Sequence, residues 1–222
     1  MGNKEAGPPR PSPLRVIVFI DGQNFYNDCK RIFGKGETHP HLLAKELCSP
    51  PYGKDRKLVQ VRFYTGIHVP NRNPQMHSYM TRRIEAMKRQ GVQVFTRPLK
   101  YSKECVEDRN TPGSYIHIWK GREKGVDVKL ALDLVMMAIE DKYDVAVIVS
   151  TDTDLDEAVE EVIFLRNKLY KWIAVENAVC VGPVDQVTGK RPPFKKLKNA
   201  GRLIYIDDSV FSKIVDNTNY YS

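Results

Sequence analysis

The residues of this chain best suited to chemistry are aspartates, and their setting matters more than their number. Asp21 follows a short β-branched run, in Ile20-Asp21-Gly22-Gln23-Asn24. Asp152 and Asp154 follow the most apolar segment, in Ser150-Thr151-Asp152-Thr153-Asp154. Asp127 opens an apolar stretch in Lys124-Gly125-Val126-Asp127-Val128-Lys129, with Asp133 further along the same stretch. Carboxylates brought together in one crevice repel each other, and a hard divalent cation such as Mg²⁺ resolves that repulsion with a few carboxylates and several waters. Such an ion beside a phosphodiester acidifies water and neutralises charge in the transition state. Each acid also has a plainer use. Asp152 suits a helix N-cap, with Asp154 favoured by the helix dipole. Asp21-Gly22 suits a strand-to-helix turn, and Asp127 a first-turn acid. Asp133 lies about 120° round a helix from Asp127, which places it outside any shared ligand position.

The elements that must position these acids alternate. Arg15 to Ile20 reads as a strand buried on both faces, followed by a helix from Asn24 to about Phe33. Gly34 to Lys57 reads as an insertion with one helical turn near His41 to Leu47, and Leu58 to Tyr64 as a second strand. Met76, Tyr79, Met80, Ile84 and Met87 recur at helical spacing, with Arg82, Arg83, Lys88 and Arg89 forming a basic outer face. Val92 to Thr96 is a strand, and residues 98–120 a polar hairpin returning through Tyr115 to Lys120. Val126 to Glu140 is apolar almost all round, which predicts a deeply packed helix. Asp144 to Ser150 is the clearest buried strand, with a helix over Asp154 to Leu169 and a strand within Trp172 to Val181. A last strand, Arg202 to Ile206, precedes a short helix from Ser209. This pattern predicts an α/β fold, a mostly parallel sheet with helices on both faces, and sites at the carboxyl ends of its strands.

Composition narrows the function classes. Hydrophobic residues make up 41% and charged residues 28%, which excludes a fibre or a wholly disordered chain. The longest apolar runs are a few residues, far short of the roughly 20 a membrane helix needs. Met1 to Pro13 is polar and proline-containing, has no signal-peptide core, and lacks the Ser or Thr that favours myristoylation, so a cytoplasmic protein is expected. Residues 1–14 read as a flexible segment and 15–222 as one domain, with 182–200 an exposed basic loop and 201–222 a closing strand and helix. Cys29, Cys48, Cys105 and Cys180 are scattered without zinc spacing and read as reduced thiols. The histidines, including His39 and His41, lack a third ligand nearby. Phosphate-loop, dinucleotide and hydrolase-elbow motifs are absent. Haloacid-dehalogenase chemistry would need a second Asp where Gln23 stands. The net charge of +8 favours an anionic partner, nucleic acid foremost. Phosphate holders are sought in Lys120, Arg122, Lys124 and Lys129, in Arg82 and Arg83, and in Lys190, Arg191, Lys195, Lys196 and Lys198. Tyr101, Tyr115, Trp119 and Phe194 interleave with these bases and suit either base stacking or core packing.

The strings VFIDGQNFY, KGVDVKLALDLV and YDVAVIVSTDTDL together resemble the NYN domain family, LabA-like members of the PIN-like ribonuclease superfamily, over roughly Arg15 to Val181. The resemblance implies a Rossmann-like three-layer fold and an endoribonuclease dependent on Mg²⁺ or Mn²⁺. Such an enzyme hydrolyses RNA with activated water to leave 5′-phosphate and 3′-hydroxyl ends. Carried over by position, Asp21, Asp127, Asp152 and Asp154 match its metal-binding acids. Asn24 matches an orienting polar residue and Asp133 a further acid of the middle motif, while Ser150 and Thr151 flank the last pair. Thr151 stands where the family commonly has glycine. A non-catalytic nucleic-acid-binding module on the same fold stays open, as does assembly into a homo-oligomer.

Overall fold

The structure is a computed structural model that describes residues 7–53, 55–108, 111 and 113–221. Its backbone runs β1 (Leu14–Asp21), α1 (Gly22–Phe33), α2 (Pro40–Cys48), β2 (Arg56–Ile67), α3 (Pro74–Arg89) and β3 (Val92–Pro98). A hairpin of β4 (Lys100–Glu107) and β5 (Tyr115–Arg122) leads to α4 (Val126–Ile139) and β6 (Val145–Val149). A 3-10 turn (Thr153–Leu155), α5 (Asp156–Lys168), β7 (Ala174–Cys180), β8 (Arg202–Ile206) and α6 (Asp208–Ile214) follow.

Strand β1 shows why the layers form. Its side chains alternate, and both sets are apolar, so both faces of the sheet must be covered. Val16, Val18 and Ile20 enter one core with Phe25 of α1, Leu43 of α2, Met87 of α3 and Phe211 of α6. Ile17 and Phe19 enter the other with Leu130 and Leu134 of α4 and Val159 of α5. The six-stranded sheet between them has the order β3-β2-β1-β6-β7-β8, and every pairing in it is parallel. The chain builds outward from β1 to β3 on one side, then from β6 to β8 on the other. The switch point therefore lies between β1 and β6, whose carboxyl ends open the crevice such sheets use for ligands.

Three details depart from the sequence expectation. The single turn near residue 41 is a full helix, α2, started by Pro40 at a position where its missing N–H costs nothing. Helix α4 is not packed all round. Leu130, Leu134 and Ala138 are buried, while Val128, Leu132, Met136 and Ile139 are each about half exposed, because a flanking helix meets the sheet with only one face. The expected basic face of α3 is also partly covered, since Tyr220 and Tyr221 pack against Tyr79. Residues 1–6 of the N-terminal segment lie outside the described residues, and Arg10 already sits over the Trp172 ring at 5.5 Å. Cys29 and Cys180, far apart in sequence, meet as buried thiols 3.6 Å apart. No helix among the described residues is long and apolar enough to cross a membrane.

Candidate active site

Two loops at the switch point are tied together by side chains. Asp21 ends β1 and caps α1, its Oδ1 accepting the Asn24 N–H at 3.1 Å and its Oδ2 the Ser150 hydroxyl at 3.2 Å. Gly22 is required next, since a Cβ there would stand 2.8 Å from the Tyr64 carbonyl oxygen and closer still to the Phe63 ring. The Asp152 N–H donates to Ser150 Oγ at 3.1 Å, and Asp152 Oδ1 in turn accepts the Asp154 N–H at 3.1 Å. Asn24 Oδ1 accepts the Thr151 N–H at 2.9 Å, and the Thr151 hydroxyl lies 2.9 Å from Asp28 Oδ2. Thr151 is thus part of the lock between α1 and the end of β6. Beneath it Asn177 of β7 is wholly buried, donating to the Ile148 and Ser150 carbonyls and accepting the Leu197 N–H.

The crevice above this lock has a volume of about 560 Å³ and is lined by Asp21, Glu123, Asp127 and Asp152, with Asn24 at its base and Lys120, Arg122 and Lys124 around it. Burial pushes the Asp21 carboxyl up to about 6, with the charges of Asp152 and Asp127 adding to it against the hydrogen bonds from Asn24 and Ser150. Burial likewise pushes Glu123 up to about 7, helped by Asp21 and Asp127 and opposed by the Gly66 N–H. Glu123 Oε1 is buried without a hydrogen-bond partner. The sequence reading missed Glu123. Its only signal was an acid inside the basic run Lys120-Gly121-Arg122-Glu123-Lys124, just ahead of Asp127.

The donor set fits a hard divalent ion: carboxylate oxygens only, mutual repulsion, and one orphaned buried oxygen. Among the described residues, however, no three His, Cys, Asp or Glu side chains converge closely enough to form a ready-made cage.

Other sequence candidates fall elsewhere. Asp154 is exposed on the 3-10 turn and does not line the crevice. Asp133 is buried on α4 and bonded by Arg62 at 2.6 Å, by the Tyr64 hydroxyl at 2.9 Å and by Lys129. Burial raises its carboxyl, but those three partners outweigh burial and hold it below the usual carboxylate range. Asp133 is therefore committed to joining α4 to Arg62 and Tyr64 of β2, with Lys129 paired to it along the same helix. Arg82 Nε donates to the Tyr220 carbonyl and Arg83 Nη2 to the Thr38 carbonyl, and both are half-buried, whereas Lys88 and Arg89 are exposed. Lys120 and Arg122 share Glu104 as partner on the hairpin, an exposed pairing that solvent screens. In the loop after β7, Arg191 is tied to the Gly182 carbonyl, while Lys190, Lys195, Lys196 and Lys198 are exposed. Trp119 is about half exposed on β5, with Arg72 stacked 3.7 Å from its ring centroid.

The fold is shared with the crystal structure of a protein of unknown function, VPA0982, from Vibrio parahaemolyticus RIMD 2210633 (TM-score 0.53, 16% identity, 93% of this chain and 99% of the other). A curated relative, 6-hydroxy-3-succinoylpyridine 3-monooxygenase HspA of Pseudomonas putida, is 28% identical over 67% of this chain and 55% of its own length. The chain thus spans about half the length of that relative. The NYN domain matches residues 15–176, from the first strand through the buried Glu176 and including every acid of the crevice, so the chain belongs to the NYN domain family.

Proposed function

We propose that the chain is a metal-dependent endoribonuclease that hydrolyses phosphodiester bonds with water and leaves 5′-phosphate and 3′-hydroxyl ends. Membership of the NYN family supports a nuclease-type function in general. The observation that carries the finer reading is the group of four carboxylates at the switch point, two of them lifted toward neutrality, within a basic surround. Asp21, Glu123, Asp127 and Asp152 would hold Mg²⁺ or Mn²⁺. When bound, such an ion supplies Lewis-acid chemistry, lowering the pKa of water and neutralising phosphodiester charge.

The chain's own groups do the rest. Lys120, Arg122 and Lys124 attract and hold the RNA backbone, which carries affinity without sequence information. Asp21 supplies one carboxylate of the set that would hold the ion. Ser150 and the Asn24–Thr151 lock keep that carboxylate in one orientation. RNA incubated with the protein, with and without Mn²⁺, should yield new 5′ ends that ligate directly. Cyclic 2′,3′-phosphate ends would assign the cut to the RNA's own 2′-hydroxyl and refute the water mechanism.

A second reading is favoured by the exposure of Asp154 and the lack of a three-carboxylate cage among the described residues: a non-catalytic RNA-binding module on the same fold. It predicts retained binding with no new ends under any divalent ion. The curated relative is named as a monooxygenase of 6-hydroxy-3-succinoylpyridine, so oxygen uptake with that compound, measured beside the cleavage assay, separates the two chemistries.

A further inference from the structure

Beside the acidic crevice lies a second cavity of about 300 Å³, between α1, α3 and β2. The two share Gln23, Asn27 and Gly121 as walls, and Gly66, whose N–H bonds Glu123, lines the second. The cavity walls are made for a flat apolar ring: Tyr26 and Phe63 with Met76, Met80 and Met87. Methionine sulfur packs well on aromatic faces and adapts to their shape. The volume is at the lower end of ligand pockets, about 300–1,000 Å³, which suits one ring system and little more.

The cavity also has a polar end. Arg83, Glu37 and Tyr79 line it, and the charges of the first two act on the Tyr79 hydroxyl. Arg83 spends one Nη on the Thr38 carbonyl, but its Nε is buried with no partner. A buried unsatisfied donor costs about 1–3 kcal/mol, so a ligand acceptor placed there gains what the protein forgoes. Gly66 lets the Leu99 and Glu123 side chains pack against β2 at this wall: a Cβ there would lie 2.4 Å from Leu99 and 3.3 Å from Glu123.

The geometry points to a nucleobase pocket that takes a guanine unstacked from the RNA strand, next to the phosphodiester in the acidic crevice. Guanine is the base that offers an acceptor, O6, beside two donor groups, N1–H and N2–H₂, matching the Arg83 donor and the Glu37 acceptor. Its ring would stack among the methionines and Tyr26 as unpaired bases do on apolar side chains. The substrate half of this inference rests on the nuclease reading; the binding half does not.

Methionine methyl signals report on it directly, in metal-free protein and without cleavage. Met76, Met80 and Met87 line the cavity, whereas Met136 and Met137 lie on α4 across the sheet. In the ¹³C-methyl-methionine spectrum, 5′-GMP should shift the first three and leave the α4 pair unmoved, while AMP, CMP and UMP at equal concentration should shift them far less. Arg83→Gln should lower the preference for GMP over AMP on the order of tenfold, the usual weight of a specific base contact. Sequencing of cleaved random RNA should then place G at one fixed position beside the cut. Methyl signals silent to all four nucleotides, or moved equally by them, overturn the pocket. Cleavage without base preference and with silent methyls overturns it while leaving the nuclease reading intact. GMP shifts in a protein that cuts no RNA support the pocket and refute the nuclease reading instead.

Discussion

Asp21→Asn should make the metal-free protein more stable, and the gain should depend on pH. The folded protein holds the Asp21 carboxyl at about 6, because the group is buried beside Asp152 and Asp127. An unfolded aspartate titrates near 3.9. Between those values the folded state binds more protons than the unfolded one, so stability falls as pH rises from about 4 to about 6. Glu123, lifted to about 7, extends the decline toward neutrality. At about pH 8 the Asp21 charge costs on the order of 3 kcal/mol, and at about pH 4 less than 1. Asparagine removes that charge yet caps α1 equally well through the same oxygen, and its amide can meet the Ser150 hydroxyl, which accepts as readily as it donates. For a chain of this size 1 kcal/mol moves Tm by about 2–4 °C, so the variant should melt several degrees above the parent near pH 8 and within about 2 °C of it near pH 4. Thermal unfolding followed by circular dichroism in EDTA measures both differences. Millimolar Mn²⁺ should raise the parent's Tm at the higher pH and narrow the gap, since an ion offsets the same repulsion. A variant no more stable than the parent at pH 8, or a difference of equal size at both pH values, would refute the crowded-carboxylate account of this crevice.

Asp152→Asn should keep its cap on the 3-10 turn and melt within about 2 °C of the parent in EDTA, yet cleave RNA orders of magnitude more slowly across a Mg²⁺ titration. Equal cleavage would make Asp152 a cap and nothing else. Asn177→Ala removes bonds to Ile148, Ser150 and Leu197 from a fully buried position and should cost about 2–4 kcal/mol, with new protease cuts within residues 182–200. An unchanged Tm and cutting pattern would show that β6 and the loop are held by other interactions. Replacing Lys190, Lys195 and Lys196 by Gln should flatten the salt dependence of RNA binding by about 0.7 log-log units for each single-strand phosphate that is no longer neutralised. The same slope in the variant would mean that the loop stays in solvent.

How far the fold was legible depended on how locally each element's signal is written. Strand β1 carries two apolar faces in consecutive residues, and that pattern alone demands helices on both sides of a parallel sheet. Helix α4 carries apolar residues all round, but periodicity cannot say which part of such a helix meets the sheet. That is settled by β1, β2 and α5 lying on one side of it, which leaves Leu132 and Met136 facing water. The backbone partners of Arg82 and Arg83 were not legible for a related reason. Their positions on α3 are outward by spacing, yet the C-terminal Tyr220 and the loop at Thr38 come from elsewhere in the chain to cover them.

The site divides along the same line. Asp21 and Asp152 were legible because each follows directly on a buried strand, and parallel neighbours end at the same edge of a sheet. Asp127 was legible because an acid at the start of an apolar helix has little to gain from packing. Glu123 was not, because it stands outside any strand or helix motif and its neighbours in sequence are bases. It enters the crevice only because the β4–β5 hairpin returns the chain over the carboxyl end of β2, where the Gly66 N–H receives it. Asp154 shows the converse. It sits two positions from a crevice acid, but the 3-10 turn that Asp152 caps carries it outward into solvent. Proximity in sequence to a strand end thus places a carboxylate at the edge of the sheet. Whether it faces the crevice depends on the turn that follows and on which distant segment closes the far wall.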